Sequence, residues 1–176
     1  MSAHYRIYLL IMVLVFLLGC QEAPTKRKYV IAFSQCIGND AWRKTMLEEM
    51  KRELSFYPDV EFLYRDAGGS NQQQVSQIRE LMERHVDLLI VSPNEASPLT
   101  PIVDSVFREK VPVIVTDRKT ASGLYHAYVG ADNVAIGRLA GQYMRQLSSQ
   151  RLNIGIMTGL RGSSASLERM KGLKQV

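Results

Sequence analysis

The chain has 176 residues, 46% of them apolar and 22% charged, with a net charge of +5 at pH 7. That length holds one full domain and the opening of another, and the composition is that of a globular protein able to build a core, not of a low-complexity or repeat polymer. A nucleic-acid footprint is excluded by scatter: Lys26–Lys28 is the only basic run of three, and no aromatics interleave with it.

The first residues read as a targeting segment. Arg6 precedes an apolar run from Ile7 to Leu18, 12 residues long, short of the ~20 that a membrane span needs. It ends in Leu17-Leu18-Gly19-Cys20, which resembles the lipobox of bacterial lipoproteins, so residues 1–19 are expected to be a signal peptide of that type and Cys20 the lipidated residue. The competing reading is an uncleaved signal anchor in which Cys20 is incidental. Both export the remainder. With Cys20 carrying lipid, Cys36 stands alone and no internal disulfide forms, so Cys36 is expected to pack near a strand end.

Residues 20–28 read as a tether, and then strands and helices alternate. Tyr29–Ser34 is a buried strand; Asp40–Leu54 is a helix with Trp42, Met46, Met50 and Leu54 at four-residue steps. Val60–Tyr64 is the second strand, and Asn71–Arg84 a helix with Val75, Ile78, Leu81 and Met82 on one face. Val86–Val91 is the third strand, followed by a helix over Pro98–Glu109 whose proline is compatible with a first turn. Val111–Thr116 and Ala127–Gly130 are the fourth and fifth strands. A helix over Asp132–Leu147 follows, whose Gly137, Ala140 and Gly141 permit close backbone packing. Leu152–Thr158 reads as a sixth strand, and the chain is helical from Ser163. This order predicts an α/β fold with a doubly wound, mostly parallel sheet joined by right-handed crossovers. The last helix is still amphipathic at Val176, as in a truncated domain.

The candidate site residues lie where strands end: Ser34, Asn39, Asp40 and Trp42 after the first, Asp117 and Arg118 after the fourth, and Gly162, Ser163 and Arg169 after the sixth. Ligands of open α/β sheets bind at that edge. A carboxylate beside a guanidinium can bridge vicinal hydroxyls, one accepting two hydrogen bonds and the other donating several in a fixed plane. An indole face suits the C–H face of a sugar ring.

These residues have plain structural readings too. Asp117–Arg118 could be a surface ion pair, Asn39 and Asp40 are both good helix caps, Trp42 lies on the apolar stripe of its helix, and Arg169 could be a solvated helix residue. Ala67-Gly68-Gly69-Ser70 lacks the spacing of a phosphate loop and reads as a turn. His4, His85 and His126 have no metal-ligand spacing, and no nucleophile is placed beside a base, so neither metal, cofactor nor catalysis is expected.

Five stretches, SQCIGNDAW, IVSPNEASPLTPIV, VPVIVTDRKT, YVGADNVAIGRLAGQYM and GSSASLERMKG, follow one another from Tyr29 to the C-terminus. In that order they resemble the class I periplasmic sugar-binding proteins of the ribose-binding and LacI-effector type. FSQC, DAWR and IVSPNEA are most similar to the periplasmic sensor domains of hybrid two-component systems in glycan-degrading gut bacteria. The resemblance implies an N-terminal sugar-binding lobe over residues 29–130, and a hinge crossing with the beginning of a C-terminal lobe over 131–176, with Ala131 and Asp132 as hinge. It makes Asn39, Asp117, Arg118 and Arg169 contacts to sugar hydroxyls. Where ribose binders carry two aromatics this chain has Ala41 and Trp42, a departure that speaks against ribose itself.

The expected function is closure over a monosaccharide or small sugar, feeding a membrane kinase, in a periplasmic module anchored to the membrane by Cys20. The alternative is the substrate-binding lipoprotein of an ABC sugar importer with a permease as partner. An exported enzyme on the same sheet is a third reading with no supporting constellation. A LacI-type repressor is disfavoured, because an export signal stands where its DNA-binding helices would be. A lobe cut at its hinge is also expected to be marginally stable.

Overall fold

The computed structural model describes residues 28–147 and 153–176. The targeting segment and most of the tether, Cys20 included, lie outside the described residues.

Five strands, β1 (Tyr29–Gln35), β2 (Val60–Asp66), β3 (Leu88–Ser92), β4 (Val113–Thr116) and β5 (Ala127–Val129), form one sheet in the order β2-β1-β3-β4-β5. Every adjacent pair is parallel. Helices α1 (Ala41–Leu54), α2 (Asn71–Glu83) and α3 (Ala96–Arg108) make the crossovers between β1 and β4. The chain leaves β1 in one direction toward β2 and in the other toward β3, so the order reverses beside β1. That reversal opens a crevice at the carboxyl ends of the strands.

Periodicity explains the core. Ala32, Leu89, Val91, Val113 and Val115 point to one face of the sheet, where Ile78 and Leu81 of α2 and Leu99, Val103 and Val106 of α3 cover them. All of these are fully buried, each large side chain contributing ~1.5–3 kcal/mol. Helix α1 behaves differently: none of its residues is buried, and Trp42 is 56% exposed. Its four-residue stripe therefore does not bury the indole against the sheet. Cys36 is buried, with its Sγ 3.7 Å from Ser92 Oγ, as expected of a packing residue at a strand end.

Element boundaries move where backbone donors are missing. Pro112 has no N–H, and its carbonyl accepts from Leu89 N, so the β4 ladder begins at Val113 and not at Val111. Helix α3 starts at Ala96, two residues before the expected Pro98, because the first-turn N–H groups it lacks need no partner.

Beyond β5, helices α4 (Asn133–Leu147) and α5 (Ser164–Leu173) pack together. A Cβ placed at Gly137 would overlap the Arg169 carbonyl, and one at Gly172 the Val134 carbonyl. The two backbones meet there because only glycine leaves room. The expected sixth strand is not formed: residues 153–158 carry no regular structure, and Leu152 lies outside the described residues. A strand needs a neighbour's backbone groups, and no described strand runs beside this segment.

Candidate functional site

The site grows from the end of β4. Asp117 adopts a left-handed backbone, φ 62°, unusual for a residue with a Cβ. Arg118 N donates to Thr116 O at 2.6 Å, and this i→i+2 bond around a positive φ is the signature of a γ-turn of the rare, strained sort. The turn is held from outside: Asp117 N donates to Val129 O at 2.9 Å, and Tyr128 Oη donates to Asp117 O at 3.1 Å. The strain presents the Asp117 carboxylate at the sheet edge.

Arg118 Nη1 donates to the Asn94 carbonyl at 2.8 Å, and its Nε is 3.8 Å from Asp117 Oδ2. Asn94 is itself fixed: Gln74 Oε1 accepts from Asn94 N at 2.9 Å. The Gln74 amide, wholly buried, also donates from Nε2 to Ser34 Oγ at 3.2 Å and to Ser92 O at 3.0 Å. One glutamine thus ties the ends of β1 and β3 to the loop that orients Arg118.

From α1, Asp40 caps the helix by accepting from Arg43 N at 2.9 Å. That bond, then the Arg43 guanidinium, holds the Asp40 carboxyl below its usual range. Arg43 Nη1 reaches Asp40 Oδ2 and Arg43 Nη2 reaches Asp117 Oδ2, each at 2.7 Å.

These groups border a cleft of about 590 Å³, lined on the sheet side by Arg43, Asp117 and Arg118 and on the other by Arg169 of α5 with Ser163 and Ser166. Most of the remaining wall is apolar, from α4, α5 and residues 154–160. Arg169 Nε donates to Asn133 Oδ1 at 2.9 Å, which leaves the ends of its guanidinium for the cleft. Just beyond, Lys119 N donates to Ser164 Oγ at 2.6 Å and Lys119 Nζ pairs with Glu168 Oε1 at 3.0 Å, joining the β4–β5 loop to α5. An apolar cavity with a few convergent polar groups is what a small polar ligand requires.

Of the residues singled out from sequence, Asp117, Arg118 and Arg169 meet in this cleft, and Ser163 lines it. Ser34 lies buried beneath, Asp40 acts from behind through Arg43, and exposed Asn39 and Trp42 are not among the lining residues. Ala131 and Asp132 occupy the short exit from β5, where Asp132 Oδ1 caps α4 by accepting from Ala135 N. Three residues that sequence reasoning passed over are Arg43, Gln74 and Asn94. The spacing Asp40-x-x-Arg43, an acid capping a helix three residues before a cation, was the available signal for the first. No group of three or more His, Cys, Asp or Glu among the described residues could hold a metal ion.

Known proteins are similar across this region. The ribose import binding protein of Bacillus subtilis (strain 168) is 23% identical over 155 residues, which cover 88% of this chain and 50% of that protein. Among solved structures, the fructose-binding periplasmic domain of a hybrid two-component system is 42% identical with a TM-score of 0.78, covering 84% of this chain and 49% of that one. An ABC transporter solute-binding protein from Bacillus halodurans C-125, with myo-inositol bound, is 30% identical with a TM-score of 0.77, covering 87% and 53%. The chain thus spans about half the length of these relatives. The model of the periplasmic binding protein domain matches residues 31–176, the strand-end cleft included. With the parallel sheet, the switch-point crevice and that match in agreement, the chain belongs to the periplasmic binding protein domain family.

Proposed function

We propose that this chain is the N-terminal lobe, residues 29–130, and the beginning of the C-terminal lobe of a sugar-binding module, acting in the periplasm as the sensory input of a hybrid two-component regulator. The observation that carries the reading is the Asp117–Arg118 pair, held in a strained turn at the sheet edge and facing Arg169 across the cleft. Asp117 accepts from sugar hydroxyls while Arg118 and Arg169 donate to them, and the apolar wall takes the ring's C–H face. A ligand that touches both walls favours the arrangement in which they are close, so binding biases closure about Ala131–Asp132. The module binds without turning its ligand over, in keeping with binding proteins as its relatives. The 42% identity to a hybrid-system domain favours the sensor over other roles.

The second reading, the receptor of an ABC importer anchored through Cys20, draws on Leu17–Cys20 and on the import-protein relatives. The two separate on the membrane. A sensor alters kinase phosphorylation when its sugar is added, whereas a receptor is required for uptake of labelled sugar.

The first test is a calorimetric and thermal-shift screen of monosaccharides and disaccharides against the full-length protein, with Asp117→Ala alongside. The expected result is a sugar-specific rise in melting temperature that the variant lacks, since a ligand bound only by the folded state stabilises it by mass action. A well-folded protein that responds to none of the sugars overturns the reading.

A further inference from the structure

We propose that Arg43 is a positioning residue for ligand recognition, aiming the Asp117 carboxylate into the cleft; this rests on the sugar-binding reading above. Asp117 has two cations near the same oxygen. Arg43 Nη2 lies 2.7 Å from Oδ2, a full charge-assisted hydrogen bond, whereas its chain neighbour Arg118 lies 3.8 Å away through Nε, outside hydrogen-bond distance. Arg118 is drawn instead toward the Asn94 carbonyl. The residue that fixes the carboxylate is therefore not its neighbour but one 74 positions earlier in the chain.

Arg43 is in turn held from behind. Asp40 accepts its backbone N–H and its Nη1, so one carboxylate both starts α1 and sets the guanidinium. The side chain is only 14% exposed, and its Nε is buried with no hydrogen-bond partner. A buried donor left unmatched costs stability, and the site tolerates that cost where the guanidinium is needed in one place. The result is a chain of groups, Asp40–Arg43–Asp117, running from the N-terminus of α1 to the turn after β4. It takes one acceptor site of Asp117 Oδ2, while no described residue donates to Oδ1. Oδ1 is the oxygen wholly free to accept hydroxyls, and its direction is set by the grip on the other.

The test measures sugar affinity by calorimetry on the full-length protein, using a sugar that the unaltered protein binds, for Arg43→Met, Arg43→Lys and Asp40→Asn, with the apo melting temperature of each. Loss of one partner of a largely buried ion pair is expected to weaken binding by at least about tenfold in Arg43→Met. Arg43→Lys, which keeps the cation, is expected to bind more tightly than Arg43→Met. Asp40→Asn keeps the helix cap, since asparagine caps as well as aspartate, and is expected to weaken binding less than Arg43→Met and without loss of folding. In an Asp117→Asn background, Arg43→Met is expected to add no further loss, because Arg43 acts through that carboxylate.

A merely structural tie between α1 and the turn lowers the melting temperature but leaves affinity unchanged, and that result overturns the proposal. So does Arg43→Lys binding no better than Arg43→Met, or a further loss in the Asp117→Asn background. If Arg43→Met does not fold, the affinity of Asp40→Asn decides, and no weakening there overturns the proposal. Failure of the unaltered protein to bind any sugar is a different outcome, and it removes the sugar reading itself.

Discussion

At the scale of single residues the cleft is governed by groups whose neighbours restrict their freedom. Gln74 uses both ends of its amide, accepting from Asn94 N and donating to Ser34 and Ser92. Gln74→Leu would keep the volume but strand the Asn94 N–H and the Ser92 carbonyl. It is expected to destabilise the fold by ~1–3 kcal/mol in urea titration. Tyr64 donates its hydroxyl to Gln35 Oε1 at 2.7 Å, and burial, with the Asp66 charge behind it, pushes its phenol up from 10 to about 12. Between pH 10 and about 12 the unfolded chain therefore releases a proton that the folded chain retains. The sign follows: the contribution is whole below pH 10 and is lost as pH rises toward 12. Lys119 works in the same alkaline direction, because Glu168 raises its ammonium above the usual 10.5, and its stabilisation too is lost once pH passes that range. Tyr64→Phe is expected to lose ~0.5–1.5 kcal/mol at neutral pH with its hydrogen bond, and to show a flatter fall in stability between pH 10 and about 12. Chemical denaturation at a series of pH values checks both parts; an unchanged alkaline slope would refute the second. The same scale shows what was legible. Asp117 and Arg118 stand at the end of an apolar run, where a pattern announces them. Arg43 and Gln74 lie within helices at positions that periodicity assigns only to a face, and no local pattern says that a face meets a carboxylate 74 residues away.

At the scale of elements, the alternation of strands and helices was readable because two periods, 2 and 3.6, do not mimic each other over five or more residues. Parallel order followed from the crossovers. The exceptions have separate causes. Helix α1 shows that a four-residue stripe need not be covered along its whole length: Met46, Met50 and Leu54 are half-buried, while Trp42 at its start is exposed. Residues 152–158 have a strand's composition, but a strand exists only in a ladder, and composition cannot supply the partner. The pairing of α4 with α5 was half legible: Gly137 and Gly141 announced a close approach, while Gly172 on the other side was not singled out. At Gly137 the demand is steric, since any Cβ would strike the Arg169 carbonyl. Gly137→Ala is expected to push the helices apart and to pull Arg169 Nε from Asn133 Oδ1, because both contacts share one residue. A lower melting temperature together with weaker sugar binding is the expected result, and a variant as stable as the parent would show that the contact yields without cost.

At the scale of the molecule, the two sides of the cleft differ in how well they are built. The sheet side has a closed core, with α2 and α3 covering one face. The other side rests on α4, α5 and a segment without regular structure, and its outer surface is apolar. Along α4, Leu139, Tyr143 and Leu147 form one stripe at four-residue spacing, 62–64% exposed, opposite the glycines that pack on α5. Ile154 and Ile156, about half exposed, and Met157, 99% exposed, belong to the wall of the cleft itself. Apolar surface on this scale, concentrated on one flank, is the kind that proteins cover with another layer or use for association. The relatives that this chain matches are about twice its length, and a chain of that length would have further residues available to cover this flank. The 176-residue chain by itself is therefore expected to bind a hydrophobic dye and to self-associate, with dye binding reduced in Leu139→Lys/Tyr143→Ser. Full-length protein is expected to show neither behaviour. Dye fluorescence and sedimentation of both forms decide the point: a monomeric, dye-silent 176-residue chain would mean that these side chains find cover among themselves. The closure proposed about Ala131–Asp132 would then have to move a self-sufficient unit, one that Lys119–Glu168 and Lys119 N–Ser164 join to the β4–β5 loop.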